Sequence, residues 1–159
     1  MPSSTKSTPP LQSGRHPKYR SVPPGPSAHA GPLPASGGPC VLVIDDDDMV
    51  RRALVRGLRR KYAVTDLRDA ESALALIEAG ARFDAILCDL NLGGMSGPDF
   101  FLNLDDDQAS RVVILSGNPD GMDDPRFAGR EPRFLEKPSP MAAIEAVLVD
   151  MFDHGARAA

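Results

Sequence analysis

The sequence feature that most constrains the fold is an alternation of two patterns. Short apolar runs alternate with stretches in which apolar residues recur at helical spacing. The first run, CVLVI, is continuous and β-branched, and four aspartates follow it directly. Such a run is typical of a strand that is covered on both faces, as in a parallel sheet. Four further short segments with strand character follow along the chain. We predict strands at 40–44, 63–67, 84–88, 111–115 and 133–136.

Helical signals fill the intervals between these runs. Apolar residues recur at helical spacing across 49–61. Asp69 is placed to cap a helix that Gly80 ends, and Ser139-Pro140 suits the cap and first turn of a last helix. This alternation predicts an α/β fold, a flavodoxin-like doubly wound (βα)5 domain with a five-stranded parallel sheet. The predicted helices cover 49–61, 70–79, 98–104 and the residues after Ser139.

The interval between the fourth and fifth strands departs from this pattern. Residues 118–132 contain three prolines and two glycines. Within a helix, proline costs about 3 kcal/mol and glycine about 1 kcal/mol relative to alanine. We therefore predict that the fourth helix is shortened or irregular. We interpret the acidic run at 105–107 as loop charge.

Composition divides the chain into a tail and a domain. Residues 1–39 contain ten Pro, seven Ser and five Gly, with four basic residues and no acidic one. Such a segment cannot bury enough apolar surface to offset its ordering entropy. We predict a disordered tail at 1–39, which acts as a tether or a passive leader. A folded domain at 40–153 and a short C-terminal tail at 154–159 complete the chain.

Other sequence features exclude several classes of protein. No apolar run approaches the ~20 residues of a membrane span, and the start lacks the apolar core of a signal peptide. Cys40 and Cys88 have no metal-like spacing, which excludes a zinc module or a disulfide scaffold. We expect a cytoplasmic protein without a membrane partner.

Several arginines in the first predicted helix could suggest a nucleic-acid surface. Residues 40–159, however, hold 14 basic and 22 acidic side chains. We therefore interpret these arginines as a solvated helix face and expect no direct DNA binding. The arginines concerned are Arg51, Arg52, Arg56, Arg59 and Arg60.

Polar residues follow the predicted strands at the sheet edge where open parallel sheets bind ligands. Asp45 and Asp46 follow the first strand, Asp89 the third, Ser116 the fourth and Lys137 the fifth. Clustered carboxylates need a counterion, and hard oxygen ligands suit Mg²⁺. We expect direct Mg²⁺ ligands at Asp46 and Asp89, with Asp45 acting through water. A carboxylate there can also form an acyl phosphate, with charge neutralised by Lys137 and a hydrogen bond from Ser116.

Four motifs in this order resemble the receiver domain of two-component response regulators. They are VLVIDDDDMVRRAL, FDAILCDLNLGGMSG, VVILSGN and FLEKP, and the resemblance covers about residues 40–153. The type it is most similar to is the stand-alone, chemotaxis-regulator-like receiver. The resemblance implies that Asp89 accepts phosphate, with Mg²⁺, from a partner histidine kinase or histidine phosphotransfer protein. Such a chain is a signalling module rather than an enzyme, and it passes its state to a downstream protein.

The resemblance also implies roles for neighbouring residues. The backbone carbonyl of Asn91 joins Asp45, Asp46 and Asp89 at the metal. Lys137 forms an ion pair with the phosphoryl group, and Lys137–Pro138 is a cis peptide bond. Ser116 and Phe134 correspond to the switch pair of the family, in which the hydroxyl moves toward the phosphate and the ring turns inward.

Two departures from the family pattern stand out. Gly93 occupies a position where the family usually has proline, which gives the loop after Asp89 more conformational freedom. The irregular segment 118–132 replaces a helix that many receivers use for dimerisation and output. We therefore expect a monomer that signals through a partner protein.

Two alternative functions stay open at this point. Asp46-x-Asp48-x-Val50 loosely fits the motif of a haloacid-dehalogenase-like phosphatase, which would use Asp46 as its nucleophile. That hypothesis assigns no role to Asp89 and finds no cap domain. A receiver fold used only as an interaction scaffold is the other alternative, and the intact five-residue site argues against it.

Overall fold

Five parallel strands form a single sheet in the order β2-β1-β3-β4-β5. The computed structural model describes residues 38–127 and 129–158, so the predicted tail lies outside the described residues except at Gly38 and Pro39. All four strand pairs are parallel, as predicted. The strands are β1 (Cys40–Ile44), β2 (Ala63–Leu67), β3 (Ala85–Asp89), β4 (Val112–Ser116) and β5 (Arg133–Glu136).

Helices cover both faces of the sheet. Alternate residues of the central strands enter two separate cores, as Leu42 and Val43 of β1 illustrate. The Leu42 core also receives side chains from α2 and α3, and the Val43 core receives them from α1 and α5. This arrangement confirms the predicted doubly wound α/β fold. The helices are α1 (Asp48–Leu58), α2 (Ala70–Glu78), α3 (Gly97–Leu102), α4 (Asp106–Ala109) and α5 (Met141–Ala158).

Aspartate caps set where several helices begin. Asp47 accepts hydrogen bonds from the amides of Met49 and Val50, and Asp69 caps α2 as predicted. Asp105 does the same for α4, where its carboxylate accepts from the Gln108 amide at 2.8 Å. The interpretation of 105–107 as loop charge is therefore wrong, because these residues cap and begin a short helix.

Several predicted boundaries differ from the observed ones. β3 and β4 each begin and end one residue later than predicted, so that Asp89 and Ser116 are their last residues. The first helix ends at Leu58 rather than at 61, and α5 continues past the predicted domain boundary at 153. Ser139 does not cap α5, because its hydroxyl donates to the Glu136 carbonyl instead.

The connection between β4 and β5 is irregular, as predicted. It forms two short 3-10 helices, Pro119–Asp123 and Pro125–Phe127. Phe127 is buried against the rings of Phe101 and Phe134, at centroid distances of 5.5 and 5.4 Å. Aromatic packing therefore holds this connection on the α3 side of the sheet.

The prediction that the arginines of the first helix form a solvated face is wrong for Arg51. Its side chain is buried, and its guanidinium donates to the Asp45 carbonyl at 2.8 Å and to the Asp66 carboxylate at 3.3 Å. It also pairs with Asp48. Arg51 thus ties α1 to β1 and β2, because its five N–H donors can bond several acceptors at once.

Among the described residues, no helix is both long and apolar enough to cross a membrane.

We predict that Gly97→Ala lowers the free energy of unfolding by about 1–3 kcal/mol. A Cβ at position 97 would lie 2.6 Å from the backbone oxygen of Asp89, so backbone must move. Gly117→Ala is the matched control, since its Cβ would meet nothing within 4 Å. Urea denaturation measures both variants. Equal free energies of unfolding for the two variants would contradict this prediction. They would show that the Asp89 backbone does not exclude a Cβ at position 97.

Candidate functional site

Three carboxylates meet at the carboxyl edge of the sheet. Ile44 pairs with Cys88 in the parallel register, so Asp45 and Asp89 leave neighbouring strands side by side. One carboxylate oxygen from each of Asp45, Asp46 and Asp89 lies within 4.8 Å of the others. Asp45 and Asp89 are buried, whereas Asp46 is exposed. The cluster therefore has a closed inner side and a side open to solvent.

The Lys137 ammonium lies between the two buried carboxylates. Its Nζ donates to Oδ2 of Asp45 at 2.8 Å and to Oδ1 of Asp89 at 2.9 Å. The Lys137 amide donates to the Ser116 carbonyl at 2.7 Å, which fixes the chain as it leaves β5. The Lys137–Pro138 bond is cis. Four of the predicted site residues are thus in direct contact or within a few ångströms of one another.

Charge balance in this cluster shifts two pKa values. Burial raises the pKa of Asp89, and the neighbouring Asp45 and Asp46 carboxylates add to that effect against the opposing influence of Lys137. Burial lowers the pKa of Lys137, but its hydrogen bonds to Asp45 and Asp89 outweigh burial and raise it overall. Lys137 therefore stays protonated, while ionised Asp89 is disfavoured in the folded protein.

These residues fit a divalent cation. Three carboxylates and one ammonium carry a net charge of −2 when all are ionised, and oxygen is the ligand atom that Mg²⁺ prefers. Asp46 faces solvent beside the buried pair, which leaves a cation access to the cluster. The donor set can therefore hold Mg²⁺.

The Ser116 hydroxyl forms its hydrogen bonds with the backbone of Asn118 rather than with the carboxylate cluster. This buried hydroxyl donates to the Asn118 carbonyl at 2.7 Å and accepts from the Asn118 amide at 3.0 Å. A Cβ on Gly121 would lie 3.1 Å from the Ser116 hydroxyl oxygen, so the first 3-10 helix packs against it. Phe134 is half-buried and contacts Phe127 edge to face.

The loop after Asp89 borders the cluster. A Cβ on Gly93 would lie 3.8 Å from the Asp46 carboxylate. Asn91 is exposed, and its carbonyl as a metal ligand stays a prediction. Glu71 of α2 accepts a hydrogen bond from the Met95 amide at 2.7 Å and so holds this loop.

Sequence reasoning missed the residues that support the site. Arg51 supports Asp45 through its backbone carbonyl, Asn118 holds the Ser116 hydroxyl, and Glu71 holds the loop after Asp89. The spacing of Asp48 and Arg51 is the one local signal, because residues three apart face each other on a helix. The contact between Asn118 and Ser116 is also local but leaves no mark in the apolar pattern, whereas Arg51 with Asp66 and Glu71 with Met95 join distant segments.

We predict that Asp89→Asn raises the melting temperature of the Mg²⁺-free protein at pH 7.5. The raised pKa means that ionised Asp89 destabilises the fold, so removing its charge relieves that cost. The difference from wild type should narrow as the pH falls through the folded pKa of Asp89, because Asp89 then becomes neutral by itself. Mg²⁺ should stabilise wild type more than the variant.

The matched control is Asp153→Asn, which removes an exposed carboxylate far along α5. A melting temperature that is lower in Asp89→Asn than in Asp153→Asn at pH 7.5 would contradict this account of the cluster.

Comparisons with known proteins agree with the fold. The family model of the response regulator receiver domain matches residues 41–148. A search of curated protein sequences finds no match.

Solved structures give the same result. The receiver domain of Francisella response regulator 1452 is 21% identical, with a TM-score of 0.64, and the match covers 74% of this chain and 98% of that one. The signal receiver domain of an HD domain-containing protein from Pseudomonas fluorescens Pf-5 is 25% identical, with a TM-score of 0.65 and coverages of 74% and 96%. A CheY-like receiver domain protein from Methanospirillum hungatei JF-1 is 17% identical, with a TM-score of 0.70 and coverages of 77% and 100%.

The family match spans most of the described chain, and these solved structures share its five-stranded architecture. The chain therefore belongs to the response regulator receiver domain family.

Proposed function

We propose that this chain is a phosphoacceptor that carries a signal between proteins in a two-component phosphorelay. The observation that carries the proposal is the position of Asp89. Its carboxylate is buried at a strand end, hydrogen-bonded to Lys137 and within 4.8 Å of two further carboxylates. A receiver domain is a signalling module rather than a classical enzyme. The proposed donor is a histidine kinase or a histidine phosphotransfer protein, and the proposed setting is the cytoplasm.

In the proposed reaction, an ionised oxygen of Asp89 attacks the phosphorus of a phosphohistidine. The P–N bond breaks, its electron pair returns to the imidazole, and an acyl phosphate forms on Asp89. Lys137 is already within hydrogen-bond distance of Asp89, where it can neutralise phosphoryl oxygen charge. Asp45, Asp46 and Asp89, with the Asn91 carbonyl, would hold Mg²⁺, which supplies further charge neutralisation when bound.

A phosphatase that uses Asp46 fits the structure less well. That hypothesis needs Asp48 close to Asp46 at the reacting centre. The Asp48 carboxylate instead pairs with Arg51 and lies 3.8 Å from Arg52. Among the described residues, the cluster of possible metal ligands contains Asp45, Asp46 and Asp89 but not Asp48. This difference favours phosphate acceptance at Asp89.

The proposed response to phosphorylation begins at Ser116. For its hydroxyl to donate to a phosphoryl group on Asp89, it must release the Asn118 carbonyl. Asn118 caps the first 3-10 helix by accepting from the Asp120 amide at 3.1 Å. Loss of the Ser116 bond therefore loosens a segment that Phe127 links to Phe134. We propose that a downstream protein reads this segment, 118–132.

We predict that Asp89→Asn abolishes labelling by radioactive acetyl phosphate, because an amide cannot form the acyl phosphate. Chelation of Mg²⁺ should abolish wild-type labelling as well. Asp153→Asn, an exposed carboxylate on α5, serves as control and should label like wild type. Wild-type labelling of Asp89→Asn would exclude Asp89 as acceptor. Rapid release of phosphate that persists in Asp89→Asn would instead support the phosphatase, and no uptake in wild type would support the scaffold.

We predict that beryllofluoride, a phosphoryl mimic, leaves the protein monomeric in light scattering. The described residues of the segment 118–132 form two short 3-10 helices and no continuous helix that could serve as a rigid dimer interface. Hydrogen exchange should change within 116–137 and in the loop after Asp89. A monomer-to-dimer shift at low micromolar concentration would contradict this prediction.

A further inference from the structure

Beyond the carboxylate site, a cavity of about 550 Å³ lies between α1 and β2. Small-molecule sites usually have volumes of about 300–1,000 Å³. Four arginines line it, together with one apolar and one acidic side chain. The lining residues are Arg51, Arg52, Val55, Arg56, Arg59 and Asp66.

The exposed arginines of this cavity form one stripe along α1. Arg52, Arg56 and Arg59 are spaced at i, i+4 and i+7, which places them on the same side of the helix. Like charges at such spacing destabilise a helix. The folded region carries more acidic than basic side chains, so the stripe is a local reversal of the overall charge.

Within the described residues, no side-chain hydrogen bond engages the guanidiniums of this stripe, although two of them form long ion pairs. Arg52 is 3.8 Å from Asp48 and Arg59 is 3.6 Å from Asp66, both too long for a hydrogen bond. Within residues 38–127 and 129–158, Arg56 has no ion pair or side-chain hydrogen bond. Other arginines of the chain do bond to the fold: Arg82, Arg111, Arg126, Arg130 and Arg133 each donate to a carbonyl or a carboxylate.

Arg51 and Asp66 form the ordered wall of the cavity. The Arg51 guanidinium already bonds to Asp45, Asp48 and Asp66 through three of its five N–H donors. It therefore holds a fixed position, and its acceptors offset its own charge. Net positive charge remains on the three exposed guanidiniums, which project from a wall that is already rigid.

The chemistry of these groups selects phosphate. A guanidinium binds a phosphate group through two parallel hydrogen bonds. The cavity lining contains one carboxylate, which cannot accept such pairs of bonds from all three exposed arginines. Along the helix axis, positions 52 and 59 are about 10 Å apart. A ligand with two linked phosphate groups spans such a stripe better than a single phosphate does.

We propose that this cavity binds a small anion that contains a diphosphate group, either free or attached to a nucleoside. The site is distinct from the carboxylate cluster, although Arg51 also donates to the Asp45 carbonyl, and binding there does not depend on phosphorylation of Asp89. Arg52, Arg56 and Arg59 would contact the phosphate oxygens, and Val55 would contact an apolar part of the ligand.

Calorimetric titration of the full chain tests this proposal, with inorganic pyrophosphate, ADP and orthophosphate as separate probes. EDTA in the buffer keeps divalent cations from the carboxylate cluster. We expect one-to-one binding of pyrophosphate and ADP, with orthophosphate at least about tenfold weaker. Equal affinity for pyrophosphate and ADP would assign binding to the phosphates alone, and tighter ADP binding would add the nucleoside. Absence of one-to-one binding by both would overturn the proposal.

Single substitutions distinguish binding in this cavity from general electrostatic attraction to basic residues. Arg56→Gln should weaken pyrophosphate binding about tenfold, since one charged donor is lost. Arg60→Gln removes the same charge from an adjacent position outside the cavity lining and should leave binding nearly unchanged. Asp89→Asn should bind like wild type, which keeps this test independent of the phosphoacceptor proposal. Equal weakening by Arg56→Gln and Arg60→Gln would refute the cavity as the site.

Discussion

The Lys137 ammonium, shared between Asp45 and Asp89, is the interaction on which the rest of the structure depends. Two buried carboxylates on neighbouring strands repel each other, and Lys137 offsets that repulsion with hydrogen bonds of 2.8 and 2.9 Å. Burial, with a smaller contribution from the neighbouring carboxylates, still keeps the pKa of Asp89 above its ordinary value. The remaining negative charge is what suits this edge of the sheet to a divalent cation and a phosphoryl group. The parallel register and the hydrogen bond from the Lys137 amide to the Ser116 carbonyl keep these groups together.

The described residues of the segment between β4 and β5 form two short 3-10 helices, and side-chain contacts hold this segment in a defined position. Phe127 inserts between Phe101 and Phe134, and Arg130 stacks on Phe101 while donating to the Leu104 carbonyl. Arg126 adds hydrogen bonds to Asp99 and Asp124. Two of these partners, Asp99 and Phe101, belong to α3, and Phe134 belongs to β5. The surface next to the Ser116 hydroxyl therefore differs in shape from one built on a regular helix, which is why we place the output there.

The strands and the site residues could be predicted from sequence because both depend on local patterns. The first, third and fourth strands are mostly apolar runs, and Asp45, Asp89 and Lys137 occur at or just after the ends of the first, third and fifth strands. Supporting contacts could not be predicted in this way. Arg51 was interpreted as solvated because its acceptor Asp66 lies on β2, and no apolar pattern marks the turn in which the Asn118 backbone bonds the Ser116 hydroxyl. The short helix α4 was missed because its aspartates are equally typical of a loop, and only the Asp105 cap distinguishes the two.

The central claim is that Asp89, rather than a neighbouring aspartate, becomes phosphorylated, and the most direct test is to locate the phosphoryl group. The full chain is treated with acetyl phosphate and Mg²⁺, and borohydride then reduces the acyl phosphate to a homoserine residue. Peptide mass spectrometry identifies the converted position. We expect homoserine at position 89 and unmodified aspartate at Asp45 and Asp46. Homoserine at position 46 with unmodified Asp89 would contradict it.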